Sequence, residues 1–222
     1  MKYSIILFTR CLGCILACCI PSTIQAASVS DLLISEIMAN PAAVSDGNGE
    51  WFELFNPTSE AINLNGIKLF DDGSNEHIIT SSSSLIINSG SYFVLARNDN
   101  SLINGGFIAD YVYGSDFALT NTSDEIVLSD SDNNTLRLNY TSGFVSNGAS
   151  MELTSDTMLL SNYIASTSAY GVGDFGTPGS TGSYNFAVAP SPVPLPGAAW
   201  LMVSGLIGLL SFKRKSQLQV KY

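Results

Sequence analysis

The stretch LISEIMANPAAVSDGNGEWFELFNP, residues 33–57, decides the fold of this chain. Two strand-like runs, Leu32–Met38 and Glu50–Phe55, are separated by a cluster of Pro, Asp, Gly and Asn residues, which marks a turn or loop. The pattern predicts a hairpin of two antiparallel strands that opens a β-sandwich.

Strand patterns continue through the middle of the chain. Ile62 and Leu64 alternate with polar residues, as do Ile67 and Leu69, and Gly66 between the two pairs predicts a bend or bulge. The later segments with strand-like patterns are Ser91–Ala96, Leu119–Leu128, Thr135–Tyr140 and Gly148–Leu153. The sequence therefore predicts an all-β domain.

Six short motifs along the chain resemble, in the same order, those of a lamin tail domain. They include Ile34–Met38, Gly49–Asn56 and Phe175–Gly179. Lamin tail domains are small immunoglobulin-like sandwiches, and in bacteria they usually occur on exported proteins. The resemblance implies an immunoglobulin-like β-sandwich over residues 27–182.

The charges are distributed unevenly along the chain. The segment from Asp31 to Asp174 holds all nineteen acidic residues and only three basic ones, which gives it a net charge of −16. Such a surface repels phosphate backbones, so nucleic acid is not an expected partner. Divalent cations, or cationic groups on a partner, fit this charge better.

Residues 1–26 have the layout of a secretory signal peptide, with basic residues early, a short apolar run and small residues at the expected cleavage position, Ala26 and Ala27. An uncleaved membrane helix and a lipoprotein signal that ends at Cys18 are the alternatives. All four cysteines lie in this segment. Its removal would leave no thiol for a disulfide, a zinc site or a nucleophile.

The other end of the chain combines a proline motif, an uncharged apolar run and a basic cluster. A helix over Leu195–Phe212 would be roughly 27 Å long, enough to cross a bilayer core, and the basic cluster would stay cytoplasmic. A buried soluble helix is the alternative. The motif is Val193, Pro194, Leu195, Pro196 and Gly197, and the basic membrane stop is Lys213, Arg214 and Lys215.

This order of motif, helix and basic cluster resembles a PEP-CTERM sorting signal of the VPLPG type. The resemblance implies export across the inner membrane of a Gram-negative bacterium and handling by an exosortase. On this interpretation residues 183–192 are a flexible linker, residues 193–215 the sorting signal with its transmembrane helix, and residues 216–222 a cytoplasmic tail.

Glu36, Glu50 and Glu53 are the candidates for acid and base chemistry, because paired carboxylates can share these roles. Strand alternation places Glu53 between two aromatic residues, where a carboxylate requires a partner. We expect structural pairing rather than catalysis, with Lys68, Arg97 or Arg137 as the partner. The single histidine, His77, is expected in a solvated loop.

Acidic turns offer oxygen ligands that suit calcium. The spacing of Asp130, Asp132 and Asn134 matches the start of an EF-hand loop, but Thr135 stands where that loop needs glycine. Solvated hairpin tips are the alternative interpretation, and calcium is the only cofactor that the sequence offers. Two other acidic turns have similar composition, Asp46–Glu50 and Asp71–Glu76.

These features together predict a non-catalytic, exported module of the cell envelope. It would be anchored in the inner membrane with its domain in the periplasm, or sorted to the cell surface or matrix, and would bind envelope or exopolysaccharide components. The alternatives are a calcium-stabilised structural domain and a hydrolase or hydrolase accessory subunit. The last alternative follows from lamin tail proteins that are fused to nucleases and other hydrolases.

Overall fold

The computed structural model describes residues 26–191 and residue 202, and these residues are organised almost entirely as β-strands. Within residues 26–191 the helical elements are a one-turn helix, α1 (Asp46–Gly49), and two 3-10 turns, Val29–Asp31 and Leu160–Asn162. In chain order the strands are β1 (Leu33–Met38), β2 (Trp51–Phe55), β3 (Ile62–Asn63), β4 (Lys68–Phe70), β5 (Glu76–Ile78), β6 (Ile86–Ile87), β7 (Tyr92–Ala96), β8 (Tyr111–Val112), β9 (Asp124–Ser129), β10 (Thr135–Tyr140), β11 (Met151–Leu153), β12 (Tyr163–Ala165), β13 (Ala169–Tyr170) and β14 (Asp174–Phe175).

Two main sheets form the domain. The larger sheet has the order β12-β11-β1-β2-β7-β8, and the smaller has the order β10-β9-β4-β5. Neighbouring strands are antiparallel except β7 and β8, which are parallel. The predicted opening hairpin is confirmed, because β1 and β2 pair at the centre of the larger sheet.

The core lies between the two sheets. Side chains from the larger sheet, such as Ile34, Leu54 and Leu95, belong to one continuous buried cluster with Leu69 and Leu128 of the smaller sheet. Strand β10 shows why the sequence folds this way, since its residues alternate strictly between exposed and buried. The all-β prediction is confirmed, and the arrangement is consistent with an immunoglobulin-like sandwich.

The larger sheet is also covered on its other face, which we call the outer face. Trp51 is completely buried there and packs against Phe107 and Tyr170, with ring centroids 5.8 Å and 6.1 Å away. The indole Nε1–H of Trp51 also donates to the Tyr170 hydroxyl at 3.1 Å. The loop before β8 and the hairpin β13–β14 therefore close the outer face.

Two local predictions need correction. His77 lies on strand β5 instead of in a solvated loop, and its ring nitrogens contact Asp116 at 2.9 Å and the Tyr111 hydroxyl at 2.7 Å. Residues 183–189, placed by prediction in a flexible linker, pack on the domain. The buried ring of Phe186 stacks on Phe55 at 4.8 Å.

The predictions for the two ends of the chain lie outside the described residues, except Ala26, Ala27 and Met202. This applies to the rest of the signal peptide, to the sorting motif Val193–Gly197 and to the basic cluster Lys213–Lys215. Within residues 26–191 and 202, no helix has the length and apolar character needed to cross a membrane.

A pair of glycine substitutions tests how the β13–β14 hairpin packs on the loop before β8. Gly171 and Gly114 both have positive φ, +52° and +66°. A Cβ on Gly171 would lie 1.7 Å from the carbonyl oxygen of Gly105, whereas a Cβ on Gly114 would have no atom within 4 Å. We expect Gly114→Ala to lower the free energy of unfolding by about 1 kcal/mol and Gly171→Ala by about 3 kcal/mol or more, measured in urea. Equal losses would contradict this packing.

Candidate functional site

Three glutamates lie side by side on the outer face of the larger sheet, and we call them the glutamate row. Glu36 on β1 is opposite Glu152 on β11 and opposite Glu53 on β2. A bulge in β1 between Ile34 and Glu36 interrupts the alternation there. Each of the three residues is at most 2% exposed. Their burial is unusual, because isolated carboxylates are costly to remove from water.

The segment that covers the glutamate row is residues 176–183, which we call the strap. Each glutamate accepts a hydrogen bond from a backbone amide of the strap. The donor and acceptor atoms are 2.8 Å apart for Thr177 N and Glu36 Oε1, 2.6 Å for Gly179 N and Glu53 Oε2, and 2.8 Å for Ser183 N and Glu152 Oε2.

Hydroxyl groups also donate to the row, although Glu152 Oε1 is buried without a hydrogen-bond partner. Ser35 donates to Glu53 Oε1 at 2.7 Å, and Thr177 Oγ1 donates to Glu36 Oε2 at 2.7 Å. The hydroxyls of Ser150 and Ser183 donate to Glu36 and Glu152, respectively. The donors around the row are thus neutral hydroxyls and amides.

The predicted cation partner of Glu53 is wrong. Within the described residues the three basic side chains pair with other carboxylates, and none of them contacts the glutamate row. The pairs are Lys68 with Glu76 at 2.8 Å, Arg97 with Glu50 at 3.2 Å, and Arg137 Nη1 with Asp72 Oδ1 at 2.9 Å.

Burial is the largest influence on the pKa values of Glu36 and Glu53. It raises the pKa of Glu36 to about 7, although hydrogen bonds from Ser150 and Thr177 oppose the shift. It also raises the pKa of Glu53 well above its ordinary value, and the neighbouring charge of Glu36 adds to this effect. Burial therefore favours the protonated, neutral form of the Glu36 and Glu53 carboxyl groups.

Glu50 occupies a separate site at the start of β2. Burial raises its pKa to about 7, while the backbone amide of Leu119 and the Arg97 guanidinium oppose the shift. Its carboxylate accepts from Leu119 N at 3.1 Å and ties the segment before β9 to the larger sheet. Arg97, one of the cations expected to pair with Glu53, pairs with Glu50 instead.

A pocket of about 420 Å³ lies between the strap, the β13–β14 hairpin and the loop before β8. Its lining includes Phe107, Ile108, Tyr170, Thr177 and Pro178. None of the glutamates in the row lines it, so these carboxylates face the strap and not this cavity.

The turn that contains Asp130, Asp132 and Asn134 is held by its own hydrogen bonds. Asp130 Oδ1 accepts from the backbone amides of Asp132 and Asn134, both at 2.9 Å, and Asp130 Oδ2 accepts from the Asn134 side chain at 2.8 Å. Among the residues that the structure describes, no group of three acidic, His or Cys side chains is arranged to hold a metal ion. The calcium site stays a prediction.

Sequence patterns identified Glu36 and Glu53 but missed Glu152 and the strap. Glu152 stands in the short run Met151-Glu152-Leu153, where alternation alone places it on the face opposite Leu153. The strap has a turn-like composition of Gly, Thr, Pro and Ser that gives no sign of burial. Its role depends on backbone amides, which every residue except proline carries.

A Glu36→Gln variant tests the cost of the buried charge. Because the pKa of Glu36 rises from 4.5 to about 7 on folding, the folded state holds a proton that the unfolded state has released at intermediate pH. This contribution to stability is complete below pH 4.5 and is lost as the pH rises through 7. Its size is about 3 kcal/mol.

Glutamine keeps an acceptor oxygen and carries no charge. We therefore expect Glu36→Gln to raise the free energy of unfolding at pH 8 by up to about 3 kcal/mol, and by less at pH 5. Urea unfolding at both pH values measures the difference. Glu60→Gln, at an exposed residue, is the control and should match the wild type. A Glu36→Gln variant less stable than the wild type at pH 8 would contradict the prediction.

The chain matches a known protein family. The sequence model of the family described as Lamin Tail Domain matches residues 25–143 of the 222-residue chain. No curated protein sequence matches the chain. The family match spans more than half of the chain and agrees with the all-β sandwich, so the chain belongs to the lamin tail domain family.

Proposed function

We propose that the chain is an exported, non-catalytic module of the cell envelope that binds envelope or exopolysaccharide components. The burial of the glutamate row beneath the strap supports the non-catalytic part of this proposal. Its carboxyl groups accept hydrogen bonds from the strap at 2.6–2.8 Å. Carboxyl groups held in this way lie beneath the strap and not in the neighbouring pocket, which supports a role in positioning the strap over a role in catalysis.

The hydrolase alternative requires these carboxyl groups to act on a substrate. Ester or glycoside hydrolysis by the purified chain that disappears in Glu53→Gln would contradict the non-catalytic proposal. Retained folding of the variant, checked by circular dichroism, would be needed for that conclusion.

The charge of the domain favours a cationic partner. In the described part of the chain the basic side chains Lys68, Arg97 and Arg137 are already paired. The remaining surface is acidic, which suits cationic groups on an envelope component and disfavours nucleic acid.

The placement of the domain is proposed from the two ends of the sequence. A signal peptide cleaved between Ala26 and Ala27 would deliver the domain to the periplasm. The apolar segment before Lys213–Lys215 would anchor it in the inner membrane, and an exosortase would act near the Val193–Gly197 motif to sort it toward the surface or matrix.

The mass and cell fraction of the mature protein in its native host test this placement. We expect a species that begins near Ala27, because small residues mark the cleavage position. A species that retains Lys215 in washed inner membranes would be the anchored form, and a species that ends near Pro196 on the surface or in the medium would be the sorted form. An uncleaved species in the cytoplasm would contradict export.

Deletion of the gene tests the binding role directly. We expect altered envelope adhesion or matrix composition, and restoration by the intact chain. Unchanged adhesion and unchanged matrix composition would contradict the role as a binding module.

A calcium-stabilised domain is the second candidate function, because the turn of Asp130, Asp132 and Asn134 presents several oxygen atoms together with Asn63 around a pocket of about 460 Å³. If calcium binds there, a chelator should lower the melting temperature of the chain, and added calcium should restore it. An Asp132→Asn variant should lose this response. An unchanged melting temperature would reject the calcium site.

A further inference from the structure

The pocket between the strap, the β13–β14 hairpin and the loop before β8 is a separate feature of the outer face, which we call the strap pocket. Its volume of about 420 Å³ lies within the usual range of ligand pockets, about 300–1,000 Å³. The side chains of the glutamate row do not line it. The strap pocket is therefore large enough for a small ligand or for one unit of a polymer.

We propose that the strap pocket binds a neutral saccharide unit. This site rests on the proposed envelope function, since it would hold one unit of the exopolysaccharide that the domain binds.

The charge of the lining indicates a neutral ligand. Among the described residues, none that lines the strap pocket carries a charge, although the domain as a whole is strongly acidic. An anionic ligand would have no basic partner in the pocket and would be repelled by the surrounding surface. A cationic ligand would bind the acidic surface outside the pocket, because the pocket itself offers no carboxylate.

The lining combines hydroxyl groups with apolar surfaces. Ser168, Thr177 and Ser180 carry the hydroxyls, and Ile108 and Pro178 are apolar. A wholly apolar ligand would remove water from these hydroxyls without replacing its hydrogen bonds, which costs free energy. A saccharide offers hydroxyl groups to the polar part of the lining and C–H groups to the apolar part, so its chemistry fits both.

Ser168 and Ile108 are the lining residues best placed to contact a ligand. The N–H of Ser168 donates to Ser166 Oγ at 3.3 Å, and its carbonyl oxygen accepts from Gly176 N at 2.7 Å. The domain thus uses the backbone groups of Ser168, and its exposed side chain leaves the hydroxyl to bond a ligand. Ile108 is 82% exposed, so a ligand that covers it gains from the burial of apolar surface.

The walls of the strap pocket are fixed by hydrogen bonds within the domain. Val172 N donates to the carbonyl oxygen of Gly105 at 3.1 Å and joins the hairpin to the loop before β8. Thr177 N donates to Glu36 Oε1 at 2.8 Å and holds the strap in place. A preformed pocket loses little conformational freedom when a ligand binds. The glutamate row therefore positions one wall of the pocket.

A neutral peptide is the other ligand class that such a lining could accept. Extended peptides bind by adding a strand to an exposed sheet edge. The strands beside the pocket, β13 and β14, have only two residues each and pair with one another. They offer too short an edge for a peptide strand, which favours the saccharide.

Titration of the purified full chain with oligosaccharides, followed by NMR of the backbone amides, tests the site. The probes are cello-, malto-, manno- and xylohexaose, together with neutral and acidic oligosaccharides prepared from the exopolysaccharide of the native host. The detergent must carry no sugar headgroup. We expect the neutral probes to shift the amides of Ser168, Tyr170 and Ser180 and to leave those of β10, on the smaller sheet, unchanged.

Two substitutions with matched controls locate the contacts. Ser168→Ala removes the free hydroxyl and Ile108→Ser removes the apolar contact, and each should raise the Kd about 3- to 10-fold. Ser161→Ala and Ile164→Ser change the same residue types at exposed positions outside the pocket and should bind as the wild type does. All four side chains are exposed, so we expect each variant to fold.

Several results would overturn the proposal. They are the absence of binding by every probe, tighter binding of the acidic than of the neutral oligosaccharides, and amide shifts confined to another surface. Preferential binding in the pocket of a neutral hexapeptide of alternating Ser and Leu would also overturn it.

Gene deletion tests the envelope function separately. A deletion that changes adhesion or matrix composition, combined with no saccharide binding in the pocket, would overturn the site and leave the envelope function in place. Binding in the pocket combined with a deletion that changes neither property would overturn the envelope function and leave the site.

Discussion

The larger sheet buries both of its faces, and the rest of the structure depends on that constraint. Every residue of β2 is buried, which requires one layer of cover from the smaller sheet and another on the outer face. The second layer comes from the loop before β8, the β13–β14 hairpin and the strap. Strands β11 and β12 extend the same sheet beyond β1. Much of this cover lies after residue 143, where the family match ends, so the segment 144–191 is part of the folded unit.

The outer face has an apolar half and a polar half. Met38, Trp51 and Val94 form a small apolar cluster, while the glutamate row lies beside it. Apolar residues of similar size would cover the sheet at lower cost, since burying carboxylates without a cation is expensive. The carboxyl groups instead specify where the strap lies, because each one requires a donor at a defined position. Registry of this kind is the best-attested use of buried polar groups.

The sequence was sufficient to predict those strands that are marked by a pattern of neighbouring residues. The alternation of Thr135–Tyr140 predicted a strand, and the motif around Trp51 predicted the central hairpin; both are present. The partner of Glu53 was not predictable, because it is a backbone amide more than a hundred residues away. Any residue type except proline carries such an amide. His77 was misplaced for a related reason, since its strand has only three residues and follows an acidic turn.

Two classes of charge in this domain respond to different conditions. The pairs Lys68–Glu76 and Arg137–Asp72 lie at the surface, where salt screens them and each contributes little to stability. The strap shields the glutamate row from salt. The groups that donate to the row are neutral, so there is no ion pair for salt to weaken. The contribution of the row to stability depends on pH, because burial raises the pKa values of Glu36 and Glu53. The domain therefore responds to salt through surface pairs that scarcely affect its fold, and to pH through the groups that hold its outer layer in place.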